Sequence, residues 1–471
     1  MTPFSELLEK YIVRSKYPII QLAQMSGFEA THITKFKRGE RIPHDLKKLN
    51  ALIEALCLSP DERLELMGYY KIERIGSTTY QEHLEVKALL ESIHCISDTS
   101  IETNYFHDLK DVSTVQGENN INNVLKCLIE REVSIENGYL MIIAQPEYQF
   151  LFDILPLILR GHQTPITHLL CLQSLHKRNP SNVYNIQCLK TIMPLLISNQ
   201  NYNPKYYYDE LPAHVNSMTV LPYLIITSKY VFQISYGFQT AILHKDVSIH
   251  AAFIEIFKQQ EKKAYNLIKT NEDIFHIFNG IYEREKHSFD TIYSIASAPC
   301  LANFFEDEVV EQVVRREIPF REELIQCYIK RRDCLLKKSI DIYAYFSEKG
   351  LRDFLATGIL AELPKSICNP IPQAARKKAV VRMLEMARKN AYHPFIIEED
   401  KMLVPETLIL SAYNNGSLEL RYVHPTIDNI LFSLEERSLT GSVFAFLEYL
   451  KNSDLVCSEM DTIQRIQKIL K

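Results

Sequence analysis

The chain contains 471 residues, too many for one hydrophobic core, so we expect two or three domains. Its 46% hydrophobic and 24% charged residues are typical of soluble globular proteins, and no apolar run approaches the ~18 residues that a membrane span needs. The net charge of −5 is unevenly distributed, because residues 1–50 carry nine Lys/Arg against five Asp/Glu and so have a net charge of +4. We therefore expect a cationic, nucleic-acid-binding head on an acidic body.

The cysteines and histidines give no sign of a cofactor. The ten cysteines are scattered without a C-x-x-C pair, which is typical of reduced thiols in a cytoplasmic protein. The first residues lack the features of a secretory signal. Neither metal-ligand spacing nor a glycine-rich phosphate loop is present, so we predict no metal and no other cofactor.

The N-terminal stretch is predicted to form short amphipathic helices. The first covers about residues 4–15, and residues 19–43 read as two short helices joined by a tight turn at Gly27, where positive φ is favoured. Apolar residues recur at helical spacing on both short helices and are expected to pack together; they are Leu22, Ala23, Phe28, Ile33 and Phe36. The opposite face of the second helix is small or polar, which indicates a surface left for a partner.

This stretch resembles the phage-repressor (Cro/xenobiotic-response-element) class of helix-turn-helix domain, over about residues 4–70. The matching positions are Leu22-Ala23, Gly27, Phe28, Ile33, Phe36, Arg38-Gly39 and Pro43, followed by an amphipathic helix with Leu46, Leu49, Leu52, Ile53 and Leu56. One departure is Lys37, where the family often has Glu. The resemblance implies a second helix that enters the DNA major groove. The alternative is a helix-turn-helix kept only for protein docking.

The resemblance also implies which side chains would meet double-stranded DNA. The candidates for base contacts are Glu29, Ala30, Thr31, Thr34 and Lys35. The candidates for phosphate contacts are Lys16, Gln21, Lys37, Arg38, Arg41 and His44. One head neutralises few phosphates, so we expect a homodimer on a pseudo-palindromic site with half-sites about one helical turn apart.

The rest of the chain predicts a mixed α and β body. Residues 71–135 form a helical connector or dimerisation element, and residues 136–275 and 276–471 form two α/β parts after the head at residues 1–70. Strands at about 139–144 and 166–172 alternate with helices, which favours a largely parallel sheet, and runs at 220–227, 230–236 and 240–244 predict an antiparallel meander. A long helix is expected at 250–269. Residues at about 138–270 and 335–471 share an order of elements, so the body is expected to contain two similar halves, although the sequence shows no residue-level repeat.

The C-terminal α/β part is predicted to begin with helices. Residues 281–340 are expected to be rich in helices, with 300–314 and 322–337 the best examples. Later runs at 340–346, 408–413 and 418–423 predict strands, and Asn414-Asn415-Gly416 is a strong hairpin turn signal.

Four further patterns invite a functional interpretation. His244-Lys245-Asp246 carries the residue types of a phospholipase D-like motif, but adjacent side chains diverge, so a strand-to-helix turn with Asp246 at the helix start is favoured. Cys300 precedes a predicted helix, where a thiol can have a lowered pKa, although packing is the commoner role. The aromatic residues 202–208 either line a ligand pocket or an interface, or form a half-buried strand, which is favoured. The basic helices 330–338 and 376–388 either bind anions or face solvent.

These patterns predict a cytoplasmic, DNA-binding transcription regulator and no enzyme. The large body would dimerise or sense a small-molecule or peptide effector. One alternative is a peptide- or small-molecule-responsive switch of the helical-sensor type. Another is an enzyme fused to a DNA-binding head, which the lack of any catalytic constellation disfavours.

Overall fold

The structure, a computed structural model, describes residues 1–93, 109, 113–174, 181–209, 220–271, 289–337, 340–362, 366–423 and 430–471. Two compact units are present, one comprising Met1–Glu85 with Asn452–Asp454 and the other Val86–Lys451 with Leu455–Lys471. The smaller unit is helical and the larger unit combines helices with two mixed sheets, which confirms the predicted fold class. The predicted division into four segments stays a prediction.

The smaller unit is built from short capped helices. They are α1 (Pro3–Ser15), α2 (Ile19–Ser26), α3 (Ala30–Lys37), α4 (Leu46–Ala55) and α5 (Pro60–Ile75), while α6 (Ser77–Ser92) runs across the division between the units. Side chains of Thr2, Asp45 and Ser59 accept hydrogen bonds from the first turns of α1, α4 and α5. Helix α5 continues through Gly68 because the next turn buries Tyr70 in the core.

The helices of the larger unit lie mostly between strands. They are α7 (Glu118–Val133), α8 (Gln149–Ile158), α9 (Val183–Ser198), α10 (Val247–Glu261), α11 (Asp307–Val313), α12 (Arg321–Lys337), α13 (Glu348–Thr357), α14 (Gln373–Arg388), α15 (Arg437–Leu450) and α16 (Glu459–Leu470). A short 3₁₀ turn spans Ala302–Phe304. Among the described residues, no helix combines the length and apolarity that crossing a bilayer requires.

The first sheet is mixed, with parallel strands at one side and a meander at the other. Its strands are β1 (Thr114–Gln116), β2 (Leu140–Ile143), β3 (Ile166–Gln173), β4 (Tyr202–Asp209), β5 (Tyr223–Ile226), β6 (Val231–Ile234), β7 (Thr240–His244) and β8 (Tyr265–Asn266). They pair in the order β1-β7-β6-β5-β2-β3-β4-β8. Strands β2, β3 and β4 are parallel, and β5, β6 and β7 are antiparallel, as predicted.

The second sheet repeats this arrangement. Its strands are β9 (Ile268–Asn271), β10 (Thr291–Ala296), β11 (Asp341–Phe346), β12 (Tyr392–Ile396), β13 (Leu408–Tyr413), β14 (Leu418–Tyr422) and β15 (Ile430–Leu434). They pair in the order β12-β11-β10-β13-β14-β15-β9. Strands β10, β11 and β12 are parallel, β13, β14 and β15 are antiparallel, and a long helix follows β15 as one follows β7. The larger unit therefore contains two halves of one topology.

Three sequence predictions for this unit were wrong. The central strand β10 lies in a stretch predicted to be rich in helices, because the six residues TIYSIA are too short a pattern to separate strand from helix. The helix predicted at 250–269 ends at Glu261, and Ile268 instead pairs with Leu434 at the edge of the second sheet. The helix predicted at 300–314 is a 3₁₀ turn followed by the short α11.

Candidate nucleic-acid interface

Helices α2 and α3 cross over a shared apolar core, as the sequence predicted. Leu22 and Ile33 are fully buried and Phe36 is 2% exposed, while Ala23 and Phe28 pack at the margin of the same cluster. Helix α4 packs against α2, and α1 packs against α3; Leu49, Leu52 and Ile53 of α4 are buried in the same cluster. These contacts fix the angle at which α3 presents its other face.

Two left-handed glycines shape the ends of this helix pair. Gly27 ends α2 with φ +73°, and its N–H donates to Ala23 O at 2.9 Å, which confirms the predicted turn. Gly39 follows α3 with φ +71°, and a Cβ there would lie 3.1 Å from Ser5 Oγ and 3.4 Å from Thr2 N. Only glycine fits both requirements at position 39, so the turn after Arg38 lies close against the start of α1.

The side chains predicted to contact bases lie on the outward face of α3. Glu29, Thr31 and Lys35 are exposed, and Ala30 and Thr34 are half-buried. The Thr34 hydroxyl donates to Ala30 O at 2.9 Å. The Thr31 hydroxyl donates to Glu29 Oε2 at 3.3 Å. None of the five is buried, so this face of the smaller unit is sterically open.

The predicted phosphate-contacting residues divide by their present partners. Lys16, Gln21, Arg38, Arg41 and His44 are exposed. Lys37 is half-buried instead, and its Nζ lies 3.1 Å from Glu9 Oε1 in α1. That ion pair keeps part of its charge inside the unit, so Lys37 is the candidate whose geometry is least favourable for a phosphate.

The start of α2 offers backbone donors. Pro18 is its N-cap and has no side chain that can cap it, so the N–H groups of Ile19 and Ile20 have no acceptor within the helix. Lys16 and Gln21 flank this turn, and both are exposed. Free N–H groups at a helix N-terminus beside a cation are suited to a phosphate oxygen.

His32 is a residue of this surface that the sequence did not single out. Its Nε2 lies 3.1 Å from an Arg41 guanidinium nitrogen and 3.8 Å from Glu29 Oε2. His32 therefore lies between Glu29, a candidate for base contacts, and Arg41, a candidate for phosphate contacts. The sequence could have indicated His32, because it directly follows Thr31 on the same short helix. It was missed because it is not one of the positions of the matched motif.

The remaining sequence candidates have structural roles. Asp246 caps α10, accepting from Ser248 N at 2.8 Å and Ile249 N at 3.0 Å, which confirms the strand-to-helix turn. Residues 202–208 form the half-buried strand β4. The lowered pKa suggested for Cys300 is wrong, because burial and then the charge of Glu362 raise the pKa of this thiol.

The two basic helices largely hold the fold together. Arg376 donates to three backbone oxygens, including Ala356 O at 2.7 Å. Lys378 Nζ lies 2.7 Å from Glu306 Oε1, and Arg332 of α12 lies 2.6 Å from Asp307 Oδ1. Within the described residues, no group of three His, Cys, Asp or Glu side chains is placed to hold a metal ion.

No protein-family model matches the chain, and no curated protein matches it. Similar solved structures include TrmBL2, described as an archaeal chromatin protein with a novel mode of DNA binding. It is 15% identical, with a TM-score of 0.22, over 57% of this chain and 95% of its own. Phosphatidylserine synthase of Haemophilus influenzae Rd KW20 is 8% identical, with a TM-score of 0.25, over 83% of this chain and 96% of its own. Both TM-scores are too low to support a conclusion about this chain.

Proposed function

We propose that the smaller unit binds double-stranded DNA through α3 and that the chain is a transcription regulator. The observation that carries the proposal is the division of α3 into two faces. Ile33 and Phe36 are buried against the core, whereas Thr31 and Lys35 are exposed on the other side. A short helix with a buried inner face and an open polar outer face is the geometry by which helix-turn-helix proteins read the major groove.

The charges around α3 support the same proposal. Exposed cations at Lys16, Arg38 and Arg41 surround the helix pair, and among the described residues Arg38 forms only an exposed ion pair with Glu40, whose Oε1 lies 3.8 Å from a guanidinium nitrogen. Phosphate contacts position such a domain, and base contacts give it specificity. Lys35 is the residue of α3 suited to a guanine edge. In this proposal the chain works as a homodimer, the larger unit dimerises or senses an effector, and no catalytic reaction is assigned to it.

Salt-dependent binding of the purified full-length chain to a selected duplex tests the proposal. Lys35→Ala removes a base contact and should weaken specific binding by about 1–3 kcal/mol, with a smaller effect on a scrambled duplex. Arg38→Ala removes a phosphate contact and should weaken both duplexes alike, lowering the slope of log K against log salt by about 0.9 for each head. Lys10→Ala, at an exposed lysine of α1, removes the same charge and is the matched control.

Two results would contradict the proposal. One is the absence of salt-dependent binding to any duplex from a randomised pool. The other is an equal loss in Lys10→Ala and Lys35→Ala, since that would mean that bulk charge and not α3 determines binding. Sedimentation of the chain with and without the duplex tests the homodimer separately.

A further inference from the structure

A polar cavity lies on one face of the second sheet. Successive strand residues face opposite sides: Tyr293 packs edge-on against Phe444 of α15, with ring centroids 5.0 Å apart, and Ser294 faces away from that helix. Ser294, Ser411 and Arg421 line the cavity from the sheet, and Asn303, Glu362 and Tyr392 also line it. The space between its walls, with the open solvent at its mouth included, is about 740 Å³.

Two buried polar atoms in this cavity have no hydrogen-bond partner among the described residues. They are the Tyr392 hydroxyl and the Asn303 side-chain carbonyl oxygen. Tyr392 is 2% exposed and Asn303 is 7% exposed. The Asn303 amide nitrogen, by contrast, donates to Cys300 Sγ at 3.7 Å. A buried polar group without a hydrogen bond destabilises the folded state, so two such groups in one cavity require an explanation.

The first half of the unit shows that the fold does not require this polarity. There, Ile142 of β2 pairs with Ile225 of β5, which pairs with Phe232 of β6. The residues at the same positions of the second sheet are Ser294, Ser411 and Glu419. Two residues further along β6 and β14, Ile234 corresponds to Arg421. The four residues of the first half are buried and apolar, whereas their counterparts are two serines and two charged side chains.

A histidine fills the equivalent space in the first half. His168 of β3 pairs with Ile142 and with Pro204, just as Ala344 of β11 pairs with Ser294 and with Pro394. The His168 ring lies 2.6 Å from the Tyr202 hydroxyl through Nδ1 and 3.1 Å from Ala144 O through Nε2.

Tyr202 and Tyr392 each begin a strand with the sequence Tyr-x-Pro. The second half has Ala344 in place of the imidazole, so Tyr392 lacks the partner that Tyr202 has. The same replacement opens space next to its ring.

The charges of the cavity indicate the chemistry of its ligand. The charged side chains that line it are Arg331, Glu362 and Arg421, and Glu362 already accepts from Ala302 N at 3.0 Å. Arg421 is 7% exposed, and its side chain makes no hydrogen bond or ion pair with another described residue. A buried guanidinium is suited to a carboxylate or phosphate, which it can bind through two parallel hydrogen bonds. Asn303 Oδ1 needs a donor, such as a hydroxyl or an amino group.

We propose that this cavity binds a small organic acid, carrying a carboxylate or phosphate on Arg421 and a hydroxyl or amino group on Asn303 and Tyr392. The same chemistry is offered by hydroxy acids, amino acids and sugar phosphates, and the test separates them. The inference names the effector site of the larger unit. It does not rest on DNA binding by the smaller one, because the ligand is measured without DNA.

Thermal unfolding of the full-length chain provides the test. The probes are inorganic phosphate, glucose 6-phosphate, malate and glutamate, with glucose, glycerol and matched KCl as controls. At least one acid should raise the unfolding midpoint saturably, by the linkage between binding and unfolding. A phosphate-only response identifies a phosphorylated ligand, and a carboxylate-only response identifies a hydroxy acid or an amino acid.

Two variants locate the binding. Arg421→Gln should weaken apparent affinity at least tenfold, while Arg388→Gln, at an exposed arginine of α14, should leave it unchanged. Ala344→His copies the first half, so its imidazole should bond Tyr392, fill the cavity and abolish the response without lowering the midpoint of the free protein. This second variant keeps the test decisive if Arg421→Gln does not fold. The proposal is overturned if no acid exceeds KCl, or if Ala344→His folds and responds like the parent chain.

Discussion

Gly27 and Gly39 have nearly the same backbone conformation but different surroundings. Their alanine substitutions therefore separate the energy of backbone strain from the energy of steric crowding. Each alanine in the left-handed region costs about 1–2 kcal/mol. At Gly27 the nearest atom to a new Cβ is the flexible Lys48 Cε at 3.9 Å, so we expect little more. At Gly39 the new Cβ meets Ser5 Oγ at 3.1 Å, and crowding of this kind adds about 1–3 kcal/mol.

Ser5 cannot easily move away from Gly39. Its hydroxyl accepts from Thr2 N at 2.8 Å and donates to Thr2 O at 2.8 Å, and the residue is fully buried. We therefore expect Gly39→Ala to destabilise the smaller unit by about 2–5 kcal/mol, against about 1–2 kcal/mol for Gly27→Ala. The loss should extend into α1, because the clash displaces the capping box at its start.

Hydrogen exchange of the full-length chain measures this difference. Peptides from residues 3–15 should exchange about 5- to 150-fold faster in Gly39→Ala than in Gly27→Ala, since every 1.4 kcal/mol is tenfold. Peptides from the larger unit are the internal control. Equal losses in the two variants, or protection of α1 unchanged in Gly39→Ala, would refute the argument that the turn after α3 is held against α1.

Three further perturbations have expected outcomes. Glu9→Gln should release Lys37 and make the slope of log K against log salt for duplex binding steeper by about 0.9 per head. It should cost at most about 1 kcal/mol of stability, because the ion pair is partly exposed. An unchanged slope in a salt titration would contradict this expectation. Burial lowers the pKa of His168 to about 4, whereas the histidine of the unfolded chain is protonated below about pH 6.5. The stability that neutral His168 contributes is therefore complete above about pH 6.5 and falls by about 3 kcal/mol towards pH 4. Denaturant melts of His168→Gln across that range should not show this pH dependence. The hydrogen bond from Arg14 lowers the pKa of Glu62 to about 2. The parent chain should therefore unfold at a higher midpoint than Glu62→Gln above about pH 4.5, and this difference should disappear as the pH falls towards 2. A difference that persists at about pH 2 would show that the ion pair is not its source.

The helical head was predictable because its signals are local. The spacing of Leu22, Ile33 and Phe36 defines both helices, and a glycine at position 27 marks the turn between them. All three apolar residues belong to one hydrophobic cluster whose members lie within about 50 positions of them in the sequence. The periodic pattern of apolar residues is therefore enough to predict most of this fold. What the pattern did not contain was the pairing of Lys37 with Glu9, since α1 and α3 meet only through the packing of the whole unit.

The body was predicted less well because its decisive contacts join distant segments. Strand β10 is central to the second sheet, yet its partner β13 begins more than 100 residues later. The sequence of β10, TIYSIA, does not indicate this pairing. The similar halves were expected from the order of elements. Their residue correspondence could not be read before the strand registers were known.

The sequence by itself therefore predicted the helical head, its charge and a body of mixed α and β structure, because hydrophobic periodicity and turn residues act over a few positions. Tertiary structure alone decided that Ser294, Ser411 and Arg421 share one cavity and that Ala344 stands where the first half has His168. The physical reason is that strand register, which sets which side chains share a face, comes from contacts across the whole sheet and not from neighbours in the chain.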